Sequence, residues 1–231
     1  MHTLRHTLYT IKMADYKKPD FWQQKARQEG YPARSVYKLK EIDEKFALFK
    51  PKSGGKVHIL DIGAAPGSWS LFILRTVFPK LSAKGFLAAA DLSPLSREFD
   101  KGLFDKDNFF FVQGDITGAE VRETLLSKGP YTTIISDAAP ATTGNHTVDA
   151  ARSFNLVEEV INYAEFVLPD GRQALVPGGS LVVKVFQGGD SAQLLKRMKP
   201  MFETVKSFKP QACRGESVET YYVGINLTAF R

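Results

Sequence analysis

The stretch Val57-His-Ile-Leu-Asp-Ile-Gly-Ala-Ala-Pro-Gly67 decides the fold. Its first five residues form an apolar run that predicts a buried strand, and a turn of glycine, alanine and proline follows. The segment from Ser68 to Phe78 predicts the next helix. Small residues in such a turn let the main chain approach a ligand at the helix N-terminus. The stretch therefore predicts an α/β domain with a ligand-binding turn after a central strand.

The same alternation of strand and helix continues on both sides of this stretch. Helices are predicted at 20–30, 34–46, 68–78, 118–127, 149–168 and 191–202. Strands are predicted at 57–61, 86–91, 109–113, 131–137, 180–186, 204–209 and 220–227. The order predicts a doubly wound, mostly parallel sheet whose last two strands form an antiparallel pair.

Three acids, Asp61, Asp91 and Asp137, stand where predicted strands end, and Lys184 lies near the end of a fourth strand. Ligands of doubly wound sheets bind at the carboxyl ends of the strands, beside the point where the strand order reverses. A single acid at a strand end is an ordinary turn former. Several acids at one edge favour a binding site there.

The turn after the first strand does not match a dinucleotide-binding turn. Ala65 stands where the G-x-G-x-x-G pattern has its middle glycine. Asp61, just before the turn, would repel a pyrophosphate but would suit a cationic amino-acid ligand. S-adenosylmethionine carries an ammonium, a sulfonium and a ribose diol and has no phosphate. We therefore favour it over NAD as the cofactor.

Two further residues are candidates for this cofactor site. Trp69 begins the helix after the turn and could close the pocket, with core packing as the alternative. Asp115 ends the third strand, where its carboxylate could accept a hydrogen bond from an adenine amino group. The alternative for Asp115 is a simple turn residue.

The residues near the predicted methyl donor favour a hydroxyl acceptor. Methyltransferases that act on base amino groups have an aromatic residue after a proline pair, whereas this chain has Asp137-Ala-Ala-Pro140-Ala141. Methylation of cytosine carbon needs a nucleophilic cysteine, and Cys213 in Gln-Ala-Cys-Arg gives poor support for one. Lys184 lies inside the apolar strand Leu181–Phe186, where a lysine is costly unless it is paired or functional. A lysine so placed can hold a ribose hydroxyl or accept its proton; the alternative is a lysine on an exposed strand edge.

Composition and charge set the class of protein and of partner. The 231 residues are 43% apolar and 24% charged, as in a soluble globule of one domain. Residues 1–40 hold nine Lys and Arg against three acids, which equals the +6 net charge of the whole chain. A basic arm on a neutral domain favours a polyanionic partner, with a solvated charged tail as the alternative. No stretch is apolar enough to span a membrane, and a single cysteine fits a reducing compartment and excludes a cysteine-built metal cluster.

At this point the chain resembles the FtsJ family of RNA ribose 2′-O-methyltransferases over roughly residues 20–228. The resemblance rests on five motifs: Arg34-Ser-Val-Tyr-Lys38-Leu, Asp61-Ile-Gly-Ala-Ala-Pro-Gly67-Ser-Trp69-Ser, Ser136-Asp137-Ala-Ala-Pro140, Val182-Val-Lys184-Val-Phe-Gln-Gly188 and Ser217-Val-Glu219. The chain departs from the family pattern in having Ser68 for a second glycine, Ala138 and Ala141 for Met and Asn, and Val218 for an arginine.

The resemblance implies a class I S-adenosylmethionine-dependent methyltransferase with a seven-stranded sheet containing one antiparallel strand. It implies a catalytic tetrad of Lys38, Asp137, Lys184 and Glu219, although Lys38 alone would indicate a helix-surface lysine. It also implies cofactor contacts from Gly67, Trp69, Asp91, Asp115 and Asp137, and no metal.

From these observations we expect a flexible basic arm at 1–18 and one methyltransferase domain at 19–231. Residues 1–12 could also be a short targeting segment, or the chain could start at Met13. The expected reaction is 2′-O-methylation of a uridine in 23S ribosomal RNA within the large ribosomal subunit, by a cytoplasmic monomer. The alternatives are 2′-O-methylation of a tRNA anticodon loop and a non-catalytic RNA-binding factor for ribosome assembly.

Overall fold

The computed structural model describes residues 20–50, 55–81 and 84–228. The expected arm at 1–18 lies outside these residues and stays a prediction. The helices are α1 (Phe21–Gln28), α2 (Val36–Phe46), α3 (Ser68–Phe72), α4 (Ala119–Ser127), α5 (His146–Glu165) and α6 (Ser191–Met198). The strands are β1 (Val57–Ile62), β2 (Gly85–Asp91), β3 (Phe109–Gln113), β4 (Tyr131–Ser136), β5 (Leu175–Phe186), β6 (Phe202–Phe208) and β7 (Glu219–Leu227).

The seven strands form one sheet in the order β3-β2-β1-β4-β5-β7-β6. Strands β1 to β5 pair in parallel, and β7 runs antiparallel to both of its neighbours. The prediction of a mostly parallel sheet with one antiparallel strand is confirmed. The strand order reverses between β1 and β4, where Ile62 pairs with Ser136, so this is the edge at which a ligand is expected.

Two apolar layers cover the two faces of the sheet. Residues that alternate along a strand face opposite layers, so Ile59 packs under α2 and α3 whereas Leu60 packs under α5 and α6. The predicted apolar stripe of α2 supplies buried Val36, Leu39 and Ile42 to the first layer. The helix that carries Lys38 is therefore fixed against the sheet by its own apolar face.

Several predicted boundaries are wrong for local reasons. Helix α5 begins three residues before 149 because the side chain of Asn145 accepts hydrogen bonds from the N–H groups of Thr147 and Val148. It ends at Glu165, because Phe166 turns to an extended conformation and its carbonyl accepts a hydrogen bond from Ala174 N–H. Helix α6 ends four residues before 202.

Two further boundaries depend on pairing within the sheet. Phe202 pairs with Leu227 and so belongs to β6 rather than to α6. Strand β5 begins at Leu175, five residues before the predicted start at 180, with a register shift opposite Tyr131 and Thr133. The predicted helix at 68–78 is α3 followed by a π turn at Ile73–Val77.

In the part of the chain that the structure describes, no helix combines the length and apolar character that a membrane span requires.

Candidate active site

A cleft of about 240 Å³ opens at the carboxyl ends of β1 to β4. Three acids line it, Asp91, Asp115 and Asp137, together with main chain from the turns after β1 and β4. The structure thus brings together three of the predicted site residues, which come from three different strand ends. The cleft lies where the strand order reverses, as expected for this kind of sheet.

The turn after β1 needs glycine because two backbones meet there. Gly63 has φ +77°, and a Cβ on it would lie 2.5 Å from the main-chain N and Cα of Ala138. Asp91 fastens the same turn, because its Oδ2 accepts a hydrogen bond from Ala65 N–H at 2.9 Å. Its Oδ1 accepts one from Ser93 N–H at 2.8 Å. A carboxylate offers about four lone-pair sites, so Asp91 can also accept hydrogen bonds from a ligand in the cleft.

Asp115 is both a cleft-lining residue and a turn former. Its Oδ1 accepts hydrogen bonds from the main-chain N–H and the hydroxyl of Thr117, both at 2.9 Å. Asp115 is therefore a turn residue whose carboxyl also lies at the rim of the cleft, and its hydrogen bond with an adenine amino group stays a prediction.

Gly67 and Trp69 lie outside the set of cleft-lining residues. The indole of Trp69 is 2% exposed and donates a hydrogen bond to the Ser35 carbonyl oxygen at 2.7 Å. The core-packing alternative thus describes the Trp69 side chain, and the idea that its ring closes the pocket is wrong. The contacts of Gly67 and Trp69 with a cofactor therefore stay a prediction.

Asp61 lies beneath the turn and not in the cleft. It is fully buried, and its Oδ2 accepts a hydrogen bond from the Ser70 hydroxyl at 2.7 Å, whereas its Oδ1 has no hydrogen-bond partner among the residues that the structure describes. Burial raises the pKa of Asp61 to about 7, and the nearby Asp137 and Asp91 add to the effect. Asp61 is therefore enclosed beneath the turn, and its carboxyl does not line the cleft in which we expected an acid to suit a cationic ligand.

The four residues of the predicted tetrad come together beside the cleft. The Lys184 Nζ lies 3.0 Å from Asp137 Oδ1 and also donates to the Asp137 carbonyl oxygen. The Lys38 Nζ lies 2.8 Å from Glu219 Oε2 and 3.9 Å from Asp137 Oδ1. All four side chains are at most 15% exposed. Two ammonium groups and two carboxylates thus balance in charge within one enclosed cluster.

The elements explain this placement. Lys184 lies on β5 between β4 and β7, so the alternative of a lysine on an exposed edge is wrong. Asp137 directly follows β4, and Glu219 begins β7 opposite Phe186. Lys38 lies on the buried face of α2 and is 7% exposed, so it is not a helix-surface lysine.

Burial and charge act against each other in this cluster. Burial raises the pKa of Asp137, but the charges of Lys184 and Lys38 and the hydrogen bonds from Tyr221 and Lys184 together lower it by more, and the result is a pKa below the usual value. Burial lowers the pKa of Lys38, but Asp137 and Glu219 raise it above the usual value. Both groups are therefore held in their charged forms, as expected for buried ion pairs.

Tyr221 belongs to the cluster and was missed by sequence reasoning. Its hydroxyl donates a hydrogen bond to Asp137 Oδ1 at 2.6 Å, and it pairs across the strands with Lys184. Burial and the charge of Asp137 raise its pKa well above the usual value. The available signal was the spacing, because Glu219 and Tyr221 are two apart on a strand and share one face.

Cys213 also lies near the cluster, in the loop before β7. The thiol is buried, and burial together with Glu219 raises its pKa to about 12. A thiol with such a pKa is not a nucleophile at neutral pH, which agrees with the poor support for cytosine methylation. Among the described residues no group of three or more His, Cys, Asp or Glu could hold a metal ion, and the absence of a metal stays a prediction.

Known proteins match the chain over most of its length. The model of the FtsJ-like methyltransferase family matches residues 31–227. A relative from Treponema denticola, the ribosomal RNA large subunit methyltransferase E, is 46% identical over 211 residues, which are 91% of this chain and 96% of the relative.

Two solved structures share the fold. A ribosomal RNA methyltransferase from Plasmodium falciparum has a TM-score of 0.66 and 27% identity, covering 87% of this chain and all of that one. A class I S-adenosylmethionine-dependent methyltransferase from Listeria monocytogenes has a TM-score of 0.56 and 13% identity. The match covers 93% of this chain and 64% of the Listeria chain. The expected class I methyltransferase fold is confirmed, and with the family pattern running from the turn before α2 to the end of β7, this chain belongs to the FtsJ-like methyltransferase family.

Proposed function

We propose that this protein transfers a methyl group from S-adenosylmethionine to a ribose 2′-OH of large-subunit ribosomal RNA, at a uridine of 23S RNA. One observation carries the proposal: the ammonium of Lys184 lies 3.0 Å from Asp137, a residue that also lines the cleft. Membership of the FtsJ-like family and the names of the 42–46% identical relatives support ribosomal RNA as the substrate class.

The residues around the cleft fit the cofactor. Asp91 keeps acceptor capacity for a ribose diol after its two main-chain bonds, and Asp115 is fixed at the rim where an adenine amino group could donate to it. Asp137 lines the cleft and also contacts the two lysines, so in this proposal it faces both the cofactor and the acceptor. Main-chain groups at Gly67 and Trp69 complete the proposed site. When bound, S-adenosylmethionine supplies a methyl group already activated by a positive sulfur.

In the proposed reaction the 2′-hydroxyl of the target ribose lies against Lys184. The ribose oxygen forms a bond to the methyl carbon as the carbon–sulfur bond breaks, and the electron pair of that bond stays on sulfur. The hydroxyl proton passes to the amine of Lys184 after that ammonium has itself given up a proton to water, or the charged ammonium orients the hydroxyl until the proton leaves to water. Asp137 holds the amine through its side chain and its carbonyl oxygen.

Lys38 and Glu219 position the target ribose in this proposal. Their 2.8 Å ion pair is enclosed beside Asp137, so it offers a charged donor and a charged acceptor in a fixed place. Because the methyl donor is already activated, alignment of the oxygen with the carbon–sulfur bond supplies much of the rate. We further propose that the protein acts as a monomer in the cytoplasm on RNA in the large ribosomal subunit, guided by the basic residues of 1–18.

The test is a map of 2′-O-methylation in RNA from a strain that lacks the gene. We expect one 23S uridine to lose its 2′-O-methyl group and to regain it when the wild-type gene, but not a Lys184→Ala gene, is returned. Loss of a tRNA anticodon-loop methyl group instead would establish the tRNA alternative. An unchanged methylation map, together with a ribosome assembly defect that Lys184→Ala rescues, would establish the non-catalytic assembly factor.

A further inference from the structure

The loop between β6 and β7 leads into Glu219 and is fastened to α2 by side chains. The Glu41 carboxylate accepts hydrogen bonds from the main-chain N–H groups of Gln211 at 2.7 Å and of Ala212 at 2.9 Å. The Arg34 guanidinium, just before α2, donates to the Ala212 carbonyl oxygen at 2.9 Å. Three main-chain groups of two adjacent residues are thus held by two charged side chains about 170 residues away in sequence.

This clamp, formed by Glu41 and Arg34, joins the two halves of the Lys38–Glu219 ion pair. Lys38 is three residues before Glu41, on the same face of α2. The main chain of Glu219 is held separately by the sheet, where it pairs with Phe186 of β5. Helix α2 is not part of the sheet. The distance from Lys38 to Glu219 therefore depends on the position that α2 takes against the loop between β6 and β7.

The loop is packed as well as bonded at this point. Ala212 is fully buried and Cys213 is 7% exposed, and both belong to the apolar layer that contains Leu39 and Ile42 of α2. Apolar packing brings the loop and the helix together but does not fix their register. Hydrogen bonds to a carboxylate are directional, so Glu41 supplies the register that packing leaves open.

We propose that Glu41 is a positioning residue of the methyl-transfer reaction: it ties α2 to the loop at 211–212 so that Lys38 meets Glu219 in the geometry that orients the target ribose. The proposal rests on the proposed function, since it acts through two residues of the tetrad. Arg34 supports the same contact from the other side of Ala212.

A double-mutant cycle tests this on the full chain with ribosomal RNA as the acceptor. We expect Glu41→Ala to lower kcat by about 10-fold while the dissociation constant of S-adenosylmethionine stays unchanged, because misplacement of a reacting group costs rate rather than cofactor affinity. In a Glu219→Ala background, adding Glu41→Ala should lower kcat no further, because residues that act as a unit are not additive.

Two further variants keep the test decisive. Glu41→Gln retains one acceptor oxygen and should have an intermediate kcat, and it carries the test if Glu41→Ala does not fold. Glu44→Ala is the matched control, since Glu44 is an exposed acid on the same helix, and its kcat should equal that of the wild type.

Three results would overturn the proposal. The first is a wild-type kcat for both Glu41 variants, even with a lower melting temperature, which would make Glu41 purely structural. The second is an equal loss of kcat with and without Glu219, and the third is a wild-type kcat for Glu219→Ala. Failure of the proposed function is a separate result, because then the wild-type protein itself would place no methyl group on a ribose.

Discussion

At the scale of single residues, Asp61 shows what burial does to a carboxyl group. Its pKa is raised from a usual value of 3.8 to about 7, first by burial and then by Asp137 and Asp91. Between those two pH values the folded protein keeps a proton that the unfolded chain has lost. The free energy of unfolding should therefore fall as pH rises through this window. Above pH 7 the whole loss caused by ionising the buried Asp61 should be present.

Asp61→Asn should remove this pH dependence. The amide keeps an oxygen for the Ser70 hydroxyl but cannot ionise. Compared with Asp61→Asn, the wild type should lose on the order of 4 kcal/mol of unfolding free energy between pH 4 and pH 8. Urea unfolding at several pH values measures it, and parallel pH profiles for the two proteins would contradict the assignment.

Asp91 is the residue on which the proposed cofactor site depends most. Asp91→Ala removes the proposed acceptor for the ribose diol and releases the N–H groups of Ala65 and Ser93. Hydrogen bonds to a charged acceptor contribute about 1.5–3 kcal/mol, so S-adenosylmethionine should bind roughly 10- to 100-fold more weakly. Calorimetry measures this, with NAD as a ligand that should not bind; tight NAD binding by the wild type would contradict the choice of cofactor.

At the scale of elements, the contact between the turns after β1 and β4 shapes the cleft. Gly63→Ala puts a Cβ 2.5 Å from the Ala138 main chain and also strains φ at +77°. Gly144→Ala is the matched control, because Gly144 has φ +83° but no atom of the described part of the chain lies within 4 Å of the added Cβ. Backbone strain alone costs about 1–3 kcal/mol, so Gly144→Ala should lower the free energy of unfolding by only this amount.

Gly63→Ala should lose more stability than Gly144→Ala and should also lose S-adenosylmethionine binding, because the two turns must separate. Urea unfolding and calorimetry on both variants measure the difference. If the two variants had equal stability and equal cofactor affinity, the close approach of the turns would not be what forms the cleft.

How far the sequence predicts each element depends on what ends it. The ends of β1 to β4 lie within one residue of prediction, because apolar runs stop at turn residues such as Gly63 and Gly114. The end of α6 was not predictable, since Phe202 leaves the helical pattern only by pairing with Leu227. The role of Glu41 was not predictable either. Its partners are main-chain N–H groups, and the residue types at 211 and 212 do not reveal them.

The same limit applies to the candidate site. Motifs predicted which residues gather at one edge, and Lys184 stood out because a lysine among valines is unusual. The burial of Asp61 and the inward indole of Trp69 depend on layers contributed by distant helices. Sequence patterns therefore predict which side chains lie near the cleft better than which way each one points.

At the scale of the whole molecule, the net positive charge is concentrated in residues 1–40. Deleting residues 1–18 removes Arg5, Lys12, Lys17 and Lys18 and spares Lys38. RNA affinity should drop and its dependence on salt should flatten, because fewer counterions are released on binding. Filter binding over a salt series measures the slope, with cofactor affinity as the control that should not change. An unchanged slope would mean that the segment is a passive tail.

In the proposed reaction the Lys184 amine acts on the hydroxyl that receives the methyl group. Single-turnover transfer to ribosomal RNA, at saturating S-adenosylmethionine, tests it most directly in the wild type, Lys184→Ala and Lys184→Arg. We predict wild-type cofactor affinity for Lys184→Ala with a rate lower by about 10²–10⁴-fold, and a similar loss for Lys184→Arg, which keeps the charge but cannot readily accept a proton. Near-full turnover by Lys184→Arg would exclude proton acceptance by Lys184, and near-full turnover by Lys184→Ala would contradict the account altogether.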